Sequence, residues 1–378
     1  MSNENTSFVA GLEDVVANTS DICFVDGQEG RLIYHGYDIH DLIAGRATFE
    51  EVIYLLWHGK LPTKTELQTL TAAIAENRKL DEPTLRFLQS VPRKSNAMEV
   101  LRTAVSFLGL YDPDEGDESL EANVRKATRL VAKLPSIVTA FERIRQGLDP
   151  IEPDVSLSAA ADFFYQLRGT KPNEFEANAF NTALILHADH ELNASTFSAR
   201  VTAGTLSDMY SAITSAVGTL KGPLHGGANE QVMKMLLEIG ELSRAEEYIA
   251  DALAAKKKIM GFGHRVYRTE DPRATHLRQL SREAGELQGE TKWFEMSQVI
   301  EQYVKEHKGL NPNVDFYSAS MYYSIGIPTH LFTPIFACSR VSGWTAHVLE
   351  QYQNNRLIRP RAEYTGPTNC KYIPIDER

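Results

Sequence analysis

Apolar residues along most of the chain recur at spacings of three and four, the periodicity of an α-helix with one buried face. Val52, Leu55 and Leu56 form one such face, and Gly59 follows it as a helix stop. A strand-like pattern is clear only in the segment 22–37, where Asp-Gly separates two apolar runs and favours a hairpin. The pattern therefore predicts an all-α fold, mainly helical, with a small N-terminal β-hairpin.

Short polar motifs mark where several of these helices should begin or end. A threonine or serine followed three residues later by glutamate matches a capping box, and a cap residue followed by proline is typical of a helix start. The capping boxes are residues 48–51, 63–66 and 243–246, the cap–proline pairs are 271–272 and 333–334, and Pro135 predicts a break in a helix. The chain has no internal repeat and no Gly/Ser linker, so we expect any second domain to be an excursion from a continuous helical body.

The length and composition are those of a globular enzyme. The chain has 378 residues, which is long for one core and predicts two domains. Hydrophobic residues make up 43% of it and charged residues 24%, which argues against gross disorder. The formal net charge of -11 argues against a general nucleic-acid binder, so no nucleic-acid partner is expected.

The cysteines and the apolar runs bear on the location of the protein. Cys23, Cys338 and Cys370 are far apart in the chain, which fits a reducing compartment better than a disulfide framework or a zinc cluster. The first part of the chain has no apolar run suited to a signal peptide, and no window approaches the length of a membrane span. We therefore expect a cytoplasmic protein without a membrane partner.

A glycine-rich segment holds the first candidate chemical group. Residues 222–230, GPLHGGANE, place His225 between a proline and two glycines, so the backbone allows close approach of a ligand. A helix is predicted directly after it, and the positive end of a helix dipole disfavours an extra proton on the imidazole. A neutral histidine can donate a hydrogen bond to a developing oxyanion. Simple helix capping by His225 is the alternative.

Two histidines, His187 and His190, lie three residues apart on another predicted helix and so should be neighbours on its surface. Their spacing matches neither of the zinc-protease motifs built on two histidines and a glutamate. Metal ligation, packing in the core or at an interface, and contact with an anion or a carbonyl group all stay open.

A basic segment and an aspartate complete the candidates from spacing alone. Residues 256–268, KKKIMGFGHRVYR, could bind a flat ring through backbone amides and phosphates through their cations, although a solvated basic turn is the alternative. The segment lacks the glycine pattern of a dinucleotide fold and of a P-loop. Asp315 lies at a predicted helix start, where it is either a cap or, in an apolar cleft, a general base.

Taken in order, these segments resemble citrate synthase. The matching motifs are HADHELNAS from His187, GPLHGGANE from Gly222, GFGHRVY from Gly261, DPR from Asp271, PNVDFY from Pro312 and RPRAEY from Arg359. The likeness covers nearly the whole chain, is nearest to the short bacterial form of the family, and has 2-methylcitrate synthase as a close relative. It implies an acyltransferase that condenses acetyl-CoA with oxaloacetate and water to give citrate and CoA at the entry of the tricarboxylic acid cycle. It implies neither a metal nor a cofactor, because acetyl-CoA is a substrate.

The resemblance also assigns roles to residues of this sequence. It implies that His225 hydrogen-bonds the thioester carbonyl, that Asp315 removes a methyl proton, and that His264 polarises and protonates the ketone. The residues that would hold oxaloacetate or citrate are His190, Arg273, Arg340 and, from the neighbouring subunit, Arg359. The implied CoA contacts are Lys258, Ile259, Met260, Gly261, Gly263 and Arg268.

The same resemblance implies a domain organisation and an assembly. Residues 1–221 plus 325–378 would form a large helical domain, and residues 222–324 a small helical domain that closes over the active site. The protein would be a homodimer with sites shared between subunits. A 2-methylcitrate synthase that uses propionyl-CoA is the near alternative, because one methylene in a pocket is worth only about 1–3 kcal/mol. A zinc hydrolase built on His187 and His190 and a noncatalytic helical interaction protein are the alternatives from other classes.

Overall fold

Helices dominate the computed structural model, which describes residues 8–378. The helices are α1 (Ile39–Ala44), α2 (Phe49–His58), α3 (Lys64–Asn77), α4 (Glu82–Ser90), α5 (Ala97–Gly109), α6 (Leu120–Gln146), α7 (Ala159–Arg168), α8 (Glu174–His187), α9 (Ala194–Ala203), α10 (Met209–Leu220), α11 (Ala228–Ile239), α12 (Ala245–Ala254), α13 (Pro272–Gln288), α14 (Lys292–Lys308), α15 (Val314–Ser324) and α16 (Phe332–Gln353). The predicted all-α fold is confirmed. Within residues 8–378, none of the helices combines the length and the apolar character that a membrane span needs.

The predicted N-terminal hairpin is present and gains a third short strand. Strands β1 (Cys23–Asp26), β2 (Arg31–Tyr34) and β3 (Tyr37–Asp38) form an antiparallel sheet in that order. Tyr34 on β2 is fully buried, and its hydroxyl donates to the carbonyl of Ile185 at 3.0 Å. The sheet is therefore fastened to the end of α8 rather than standing apart from the helices.

The helix-boundary predictions succeeded where the cap is local. Thr48 and Thr63 both form complete capping boxes with the glutamate three residues later. The boundary predicted at Ser243 is wrong, because a short 3-10 turn occupies residues 242–244 and α12 begins at Ala245 without a side-chain cap. The break predicted at Pro135 is also wrong: α6 continues through it, with Leu134 and Ile137 buried on either side, so packing outweighs the lost hydrogen bond. The start predicted at Thr333 is wrong as well, since α16 begins at Phe332 without a side-chain cap.

Helix α16 lies at the centre of the first group of helices. Its residues are buried over nearly its whole length, and it packs against α2, α6, α8, α9 and α10. A helix that is covered on all sides lies in the interior of a protein, here with several polar side chains among its buried residues. Arg340 and Trp344 on α16 are therefore held by the core and face α8 and α9 from a fixed position.

A second group of helices follows in sequence. α13 and α11 pack on α15, and α12 and α15 pack on α14, so α11 to α15 share a core of their own. α13 also contacts α8, and α11 contacts α16. The candidate histidines, Asp315, Arg273 and Arg340 lie where these two groups of helices meet.

Candidate active site

His225 lies in the turn between α10 and α11, and its ring faces the N-terminus of α9. The backbone N–H of Ser195, in the first turn of α9, donates to Nε2 of His225 at 3.3 Å. Ser195 Oγ, which accepts from Trp344, lies 2.8 Å from the same Nε2 and can donate its hydroxyl proton to it. Because the backbone N–H can only donate, Nε2 is the acceptor in both contacts and the imidazole proton is on Nδ1. Burial lowers the pKa of His225 to about 4, and the charge of Arg340 acts in the same direction. His225 is therefore a neutral hydrogen-bond donor at pH 7.

His264 lies in the loop between α12 and α13 and has the opposite tautomer. The backbone N–H groups of Val266 and Tyr267 donate to its Nδ1 at 3.0 and 3.1 Å. The proton is therefore on Nε2. Burial lowers the pKa of His264 to about 4, and the charge of Arg273 adds to this effect. The ring of His264 lies 5.2 Å from that of His190, centre to centre.

The two histidines of the HADH motif do not share a helix face, contrary to the expectation from their spacing. α8 ends at His187, and His190 lies in the buried turn that follows it. Nδ1 of His187 bonds the carbonyl of Ala183 at 2.7 Å and its ring packs on Phe336, whereas Nε2 of His190 lies 3.2 Å from the hydroxyl of Tyr267. Within residues 8–378 no cluster of three metal-ligating side chains occurs. The geometry therefore gives no support to a zinc site on these two histidines.

Burial also fixes the protonation of both rings. It lowers the pKa of His187 to about 3 and that of His190 well below its usual value, with nearby guanidinium charges acting in the same direction. His190 is thus a third neutral imidazole beside His264, and His187 belongs to the core.

Arg273 and Arg340 are two buried guanidinium groups with different surroundings. Asp271 binds Nε and Nη2 of Arg273 at 2.9 and 2.8 Å and also accepts from the backbone N–H of Val314 at 3.1 Å. Arg340 donates its Nε to the carbonyl of His187 at 2.6 Å and stacks on Phe336, but it forms no ion pair within residues 8–378. Burial lowers the pKa of Arg340 to about 10, so it stays charged at pH 7. A charged, largely unpaired arginine in such a place is an anion-binding group.

Asp315 is the second residue of α15, as its motif predicts, but its carboxylate does not serve as the cap. Asn313 caps the helix, since its Oδ1 accepts from the backbone N–H of Asp315 at 3.0 Å. Burial raises the pKa of Asp315 from 3.8 to about 6, and Arg273 opposes the shift only in part. No hydrogen bond to the carboxylate is formed within residues 8–378, so the group is available as a proton acceptor.

Charge effects connect these residues into one cluster. The charge of Arg340 shifts the pKa of His225, His190 and Asp315. The charge of Arg273 shifts the pKa of His190, His264 and Asp315. Because such effects fade quickly with distance, these shifts indicate that His190, His225, His264 and Asp315 lie close to Arg273 and Arg340, in line with the 5.2 Å between the rings of His190 and His264.

The basic loop is joined directly to the start of α15. The N–H of Gly263 donates to the carbonyl of Asn311 and the N–H of Asn313 to the carbonyl of Gly261, both at 2.9 Å. Phe262 packs on Phe316 with ring centres 4.5 Å apart. Gly261 has φ +83°, and a Cβ there would lie 2.8 Å from Val232, so only glycine fits. Any group that binds this loop is thereby coupled to the position of Asp315.

The side chains of the predicted CoA contacts differ in exposure. Ile259 is 8% exposed and packs in the core, whereas Lys258 and Arg268 are exposed and Met260 is half-buried. Gly261 and Gly263 present backbone groups at the same loop. The lysine and the arginine could meet phosphates, and the glycines could meet a ring.

Arg359 lies apart from this cluster. It is exposed in the segment after α16, which has no helix or strand until residue 375. The structure of the single chain therefore does not bring Arg359 to the other candidates.

Some residues at the site were given no role in it by the sequence analysis, although all of them but Trp344 lie in the quoted motifs. Ser195 fixes the tautomer of His225, Trp344 donates to Ser195 Oγ at 3.0 Å, and Tyr267 contacts His190. Asp271 looked only like a helix cap, which it is, but it also holds Arg273. The signal available for Ser195 was Asn193, a good N-cap residue two positions earlier.

The fold and the site define a class of helical enzymes with neutral histidines and an anion-binding arginine pair, and comparison with known proteins gives the family. The family model described as "Citrate synthase, C-terminal domain" matches residues 11–361. The chain is 57% identical to "Citrate synthase 2" of Bacillus subtilis (strain 168), over 97% of this chain and 98% of that protein. It is 52% identical to "Citrate synthase" of Haloferax volcanii, again over 97% and 98% of the two chains.

A solved structure agrees with these sequence relatives. Citrate synthase from Thermoplasma acidophilum, described as a ternary complex with carboxymethyl coenzyme A and oxaloacetate, superposes with a TM-score of 0.92 at 37% identity, over 97% of this chain and 98% of that one. The chain belongs to the citrate synthase family. It is therefore an enzyme of the acyltransferase class, with the helical two-domain fold of that family.

The raised pKa of Asp315 predicts a cost in stability. The folded protein holds the Asp315 proton more tightly than the unfolded chain does. Asp315 therefore does not lower the free energy of unfolding below about pH 4, where it is protonated in both states, and it lowers that free energy by its full amount above about pH 6. The substitution Asp315→Asn should therefore raise the free energy of unfolding at pH 8 by on the order of 1–3 kcal/mol, and the gain should fade toward pH 4. Urea unfolding at the two pH values measures it.

The matched control is Asp251→Asn, which removes an exposed carboxylate on α12. It should change the free energy of unfolding little at either pH. An Asp315→Asn variant that is no more stable than the parent at pH 8 would contradict the assignment of a desolvated carboxylate.

Proposed function

We propose that this chain catalyses the condensation of acetyl-CoA with oxaloacetate and water to give citrate and CoA, at the entry of the tricarboxylic acid cycle. The observation that carries the proposal is the pair of neutral imidazoles, His225 and His264, whose protons are fixed by backbone donors beside a desolvated carboxylate. The family membership and the names of its relatives support the same reaction.

Oxaloacetate is the substrate that the arginines would hold. Arg273, oriented by Asp271, and Arg340, which has no ion pair within residues 8–378, offer guanidinium groups for the two carboxylates. His190 and His264 are neutral and adjacent, so each can donate to an oxygen of the bound keto acid without adding charge. His264 would polarise the ketone and give it a proton.

Deprotonation of the thioester needs two groups at once. A thioester methyl is a weak carbon acid, so Asp315 can take its proton only if the enolate oxygen is stabilised at the same moment. His225, with its proton on Nδ1, is the donor for that oxygen. One well-placed donor of this kind is worth roughly 3–4 kcal/mol of the barrier. The pKa of Asp315, about 6, leaves it ionised at pH 7 but basic enough to act.

Carbon–carbon bond formation and hydrolysis follow. The enolate carbon attacks the ketone carbon of oxaloacetate while His264 donates a proton to the ketone oxygen, which gives citryl-CoA. The proton that Asp315 took from the methyl group then returns to His264 through water, which restores both groups. Water then cleaves the thioester, which releases citrate and the CoA thiol. We propose that neither a metal nor an organic cofactor takes part, because the histidines and arginines supply the polarisation that the scheme needs.

The basic loop would bind CoA. Lys258, Ile259, Met260, Gly261 and Gly263 would meet the adenine, and Arg268 the phosphates. The hydrogen bonds between this loop and residues 311–313 support the proposal, because they connect the loop that would bind the CoA part of the substrate to the helix that carries Asp315. Seating of CoA and placement of the base would then occur together.

We further propose that residues 222–324 form a small domain that closes on a large domain of residues 1–221 plus 325–378. Closure would exclude water and prevent hydrolysis of acetyl-CoA before condensation. The packing of α11 to α15 on one another supports the boundary. The contacts Ser195–His225 and His190–Tyr267 each join the two proposed parts, so closure would complete the site.

A homodimer with shared sites is the proposed assembly. The exposed segment after α16 carries Arg359 together with large apolar side chains, among them Tyr364 and Tyr372, which are 70% and 81% exposed. Such residues in an extended segment are typical of a surface that a partner covers. Arg359 of one subunit would reach the oxaloacetate of the other. We propose the cytoplasm as the location, in keeping with the three unpaired cysteines.

A 2-methylcitrate synthase is the second candidate. The chain is 43% identical to "2-methylcitrate synthase" of Mycobacterium tuberculosis, over 96% of this chain and 92% of that protein. The two reactions use the same groups and differ by one methylene at the acyl carbon. The higher identity to proteins named citrate synthase favours acetyl-CoA.

Release of CoA thiol tests the function directly. The purified protein with saturating oxaloacetate should release thiol from acetyl-CoA with a kcat/KM at least about tenfold above that for propionyl-CoA, since one methylene contributes about 1–3 kcal/mol. Asp315→Asn should bind oxaloacetate like the parent and lose most of its turnover.

Each part of the proposal has its own contrary result. A preference for propionyl-CoA would make the chain a 2-methylcitrate synthase, and no thiol release from either substrate would remove the condensation. Unchanged turnover in Asp315→Asn would remove Asp315 as the base.

The shared site predicts complementation between two inactive variants. Arg359→Ala and Arg340→Ala should each weaken oxaloacetate binding, because each removes a carboxylate ligand. In a mixed dimer, one of the two sites would have both arginines intact, so co-expression with two affinity tags should recover part of the activity. Absence of recovery in verified mixed dimers would contradict the sharing of sites.

A further inference from the structure

The turn that carries His190 has an unusual backbone. Glu191, the residue after it, has φ +52°, a left-handed conformation that is costly for a residue with a side chain. The carboxylate of Asp189 supports this conformation, because its Oδ2 accepts from the backbone N–H of Glu191 at 3.1 Å. The carbonyl of Ala188 accepts from the N–H of Gly343 on α16 at 3.2 Å. The turn is thus held from both sides.

Asp189 in turn is bound by a histidine of α16. Nε2 of His347 lies 3.3 Å from Asp189 Oδ2, and both side chains are fully buried. Nδ1 of His347 lies 2.8 Å from Nη1 of Arg200, and a guanidinium can only donate, so the imidazole proton is on Nε2 and points at Asp189. Arg200 also pairs with Glu350, which accepts from the backbone N–H of Asp21 at 2.9 Å. The chain of contacts therefore runs from the segment before β1 to the His190 turn.

The charge of Asp189 is expensive to bury and is only partly satisfied. Its second oxygen, Oδ1, has no hydrogen-bond partner within residues 8–378. Gly343 makes room for it, since a Cβ there would lie 2.3 Å from this oxygen. A buried, half-satisfied carboxylate needs an explanation beyond packing, because an amide of the same shape would cost less.

The surroundings of Arg340 supply that explanation. Burial lowers the pKa of Arg340, and Asp189 is the anion that most opposes the change. Arg340 donates its Nε to the carbonyl of His187, two residues before Asp189, and lies on α16 one turn before Gly343, which faces Asp189 Oδ1. Because Arg340 forms no ion pair within residues 8–378, Asp189 is the carboxylate placed to balance its charge. One carboxylate thus serves two neighbouring groups: it shapes the turn of His190 and balances the charge of Arg340.

We infer that Asp189 and His347 are positioning residues for the keto-acid half of the site, through which His190 and Arg340 are held ready for the substrate carboxylate and carbonyl. The inference rests on the proposed function. Neither residue touches the substrate. Both act through the groups that do.

Two substitutions at His347 form a matched pair. His347→Gln can keep an acceptor for Arg200 and a donor that reaches Asp189. His347→Asn can keep the acceptor for Arg200, but its side chain is too short to reach Asp189. Asp189→Asn is the third variant, because it retains an acceptor for Glu191 and His347 and removes only the charge. Circular dichroism and thermal unfolding report whether each variant folds.

The experiment measures whether the substitutions weaken binding of oxaloacetate without changing the KM for acetyl-CoA. The dissociation constant of oxaloacetate without CoA, measured by calorimetry, should rise about tenfold or more in His347→Asn and Asp189→Asn, as expected for loss of a buried hydrogen bond to a charged group. The KM for acetyl-CoA at saturating oxaloacetate should stay within about twofold of the parent. His347→Gln should restore oxaloacetate binding to near the parent value.

Contrary results are equally specific. Unchanged oxaloacetate binding in folded His347→Asn and Asp189→Asn would overturn the inference, as would equal losses for both substrates or a fall in thermal stability alone. If Asp189→Asn does not fold, the His347 pair decides. If the parent protein binds oxaloacetate but releases no thiol from acetyl-CoA, the proposed function is wrong. The comparison of oxaloacetate binding among the variants would still test the positioning role.

Discussion

The site depends on backbone N–H groups that donate to imidazole nitrogens. Ser195 donates to Nε2 of His225, and two successive amides of the 266–267 turn donate to Nδ1 of His264. A backbone amide does not lose its proton near neutral pH, so each contact excludes the imidazolium ion and decides which nitrogen carries the remaining proton. The two histidines are thereby made into neutral donors with opposite tautomers. The proposed chemistry uses both protons.

The arrangement of charge follows from this. With the histidines neutral, the positive charge of the site comes from Arg273 and Arg340. Asp271 forms an ion pair with Arg273, whereas Asp189 acts on Arg340 through its charge without forming an ion pair with it. The carboxylate of Asp315 lies near both arginines and has no hydrogen-bond partner among the described residues, and its pKa rises because burial outweighs the effect of the arginines. A keto acid with two carboxylates would complete the charge balance. The site can therefore keep buried charges that are not all paired within the protein, because the anionic substrate would supply the missing negative charge.

Local signals predicted much of this structure. The capping boxes at Thr48 and Thr63, the hairpin around residue 26 and the helix start before Asp315 were all readable because each depends on residues within a few positions of one another. The prediction at Pro135 failed because burial on both sides of α6 keeps the helix intact. Local patterns therefore located the elements better than their ends.

The interior of the site was less accessible to such reasoning. His190 lies outside its predicted helix because the turn after α8 forms hydrogen bonds with Tyr34 of the hairpin and with Gly343 of α16, both far away in sequence. Nothing local to residue 225 indicates that the first turn of α9 donates to its ring. The motifs shared with the family supplied the candidate reacting residues, but the partners that set their protonation come from long-range packing, which one sequence does not display.

The protonation of His225 and His264 is the most direct test of this account. Nitrogen-15 NMR of the protein with labelled histidine, with His225→Gln and His264→Gln used for assignment, reports both charge and tautomer. Both rings should be neutral from pH 7 down to about pH 5, because the pKa of each is about 4, with the proton on Nδ1 of His225 and on Nε2 of His264. An imidazolium ion at pH 7 on either ring, or the reverse tautomers, would contradict the account.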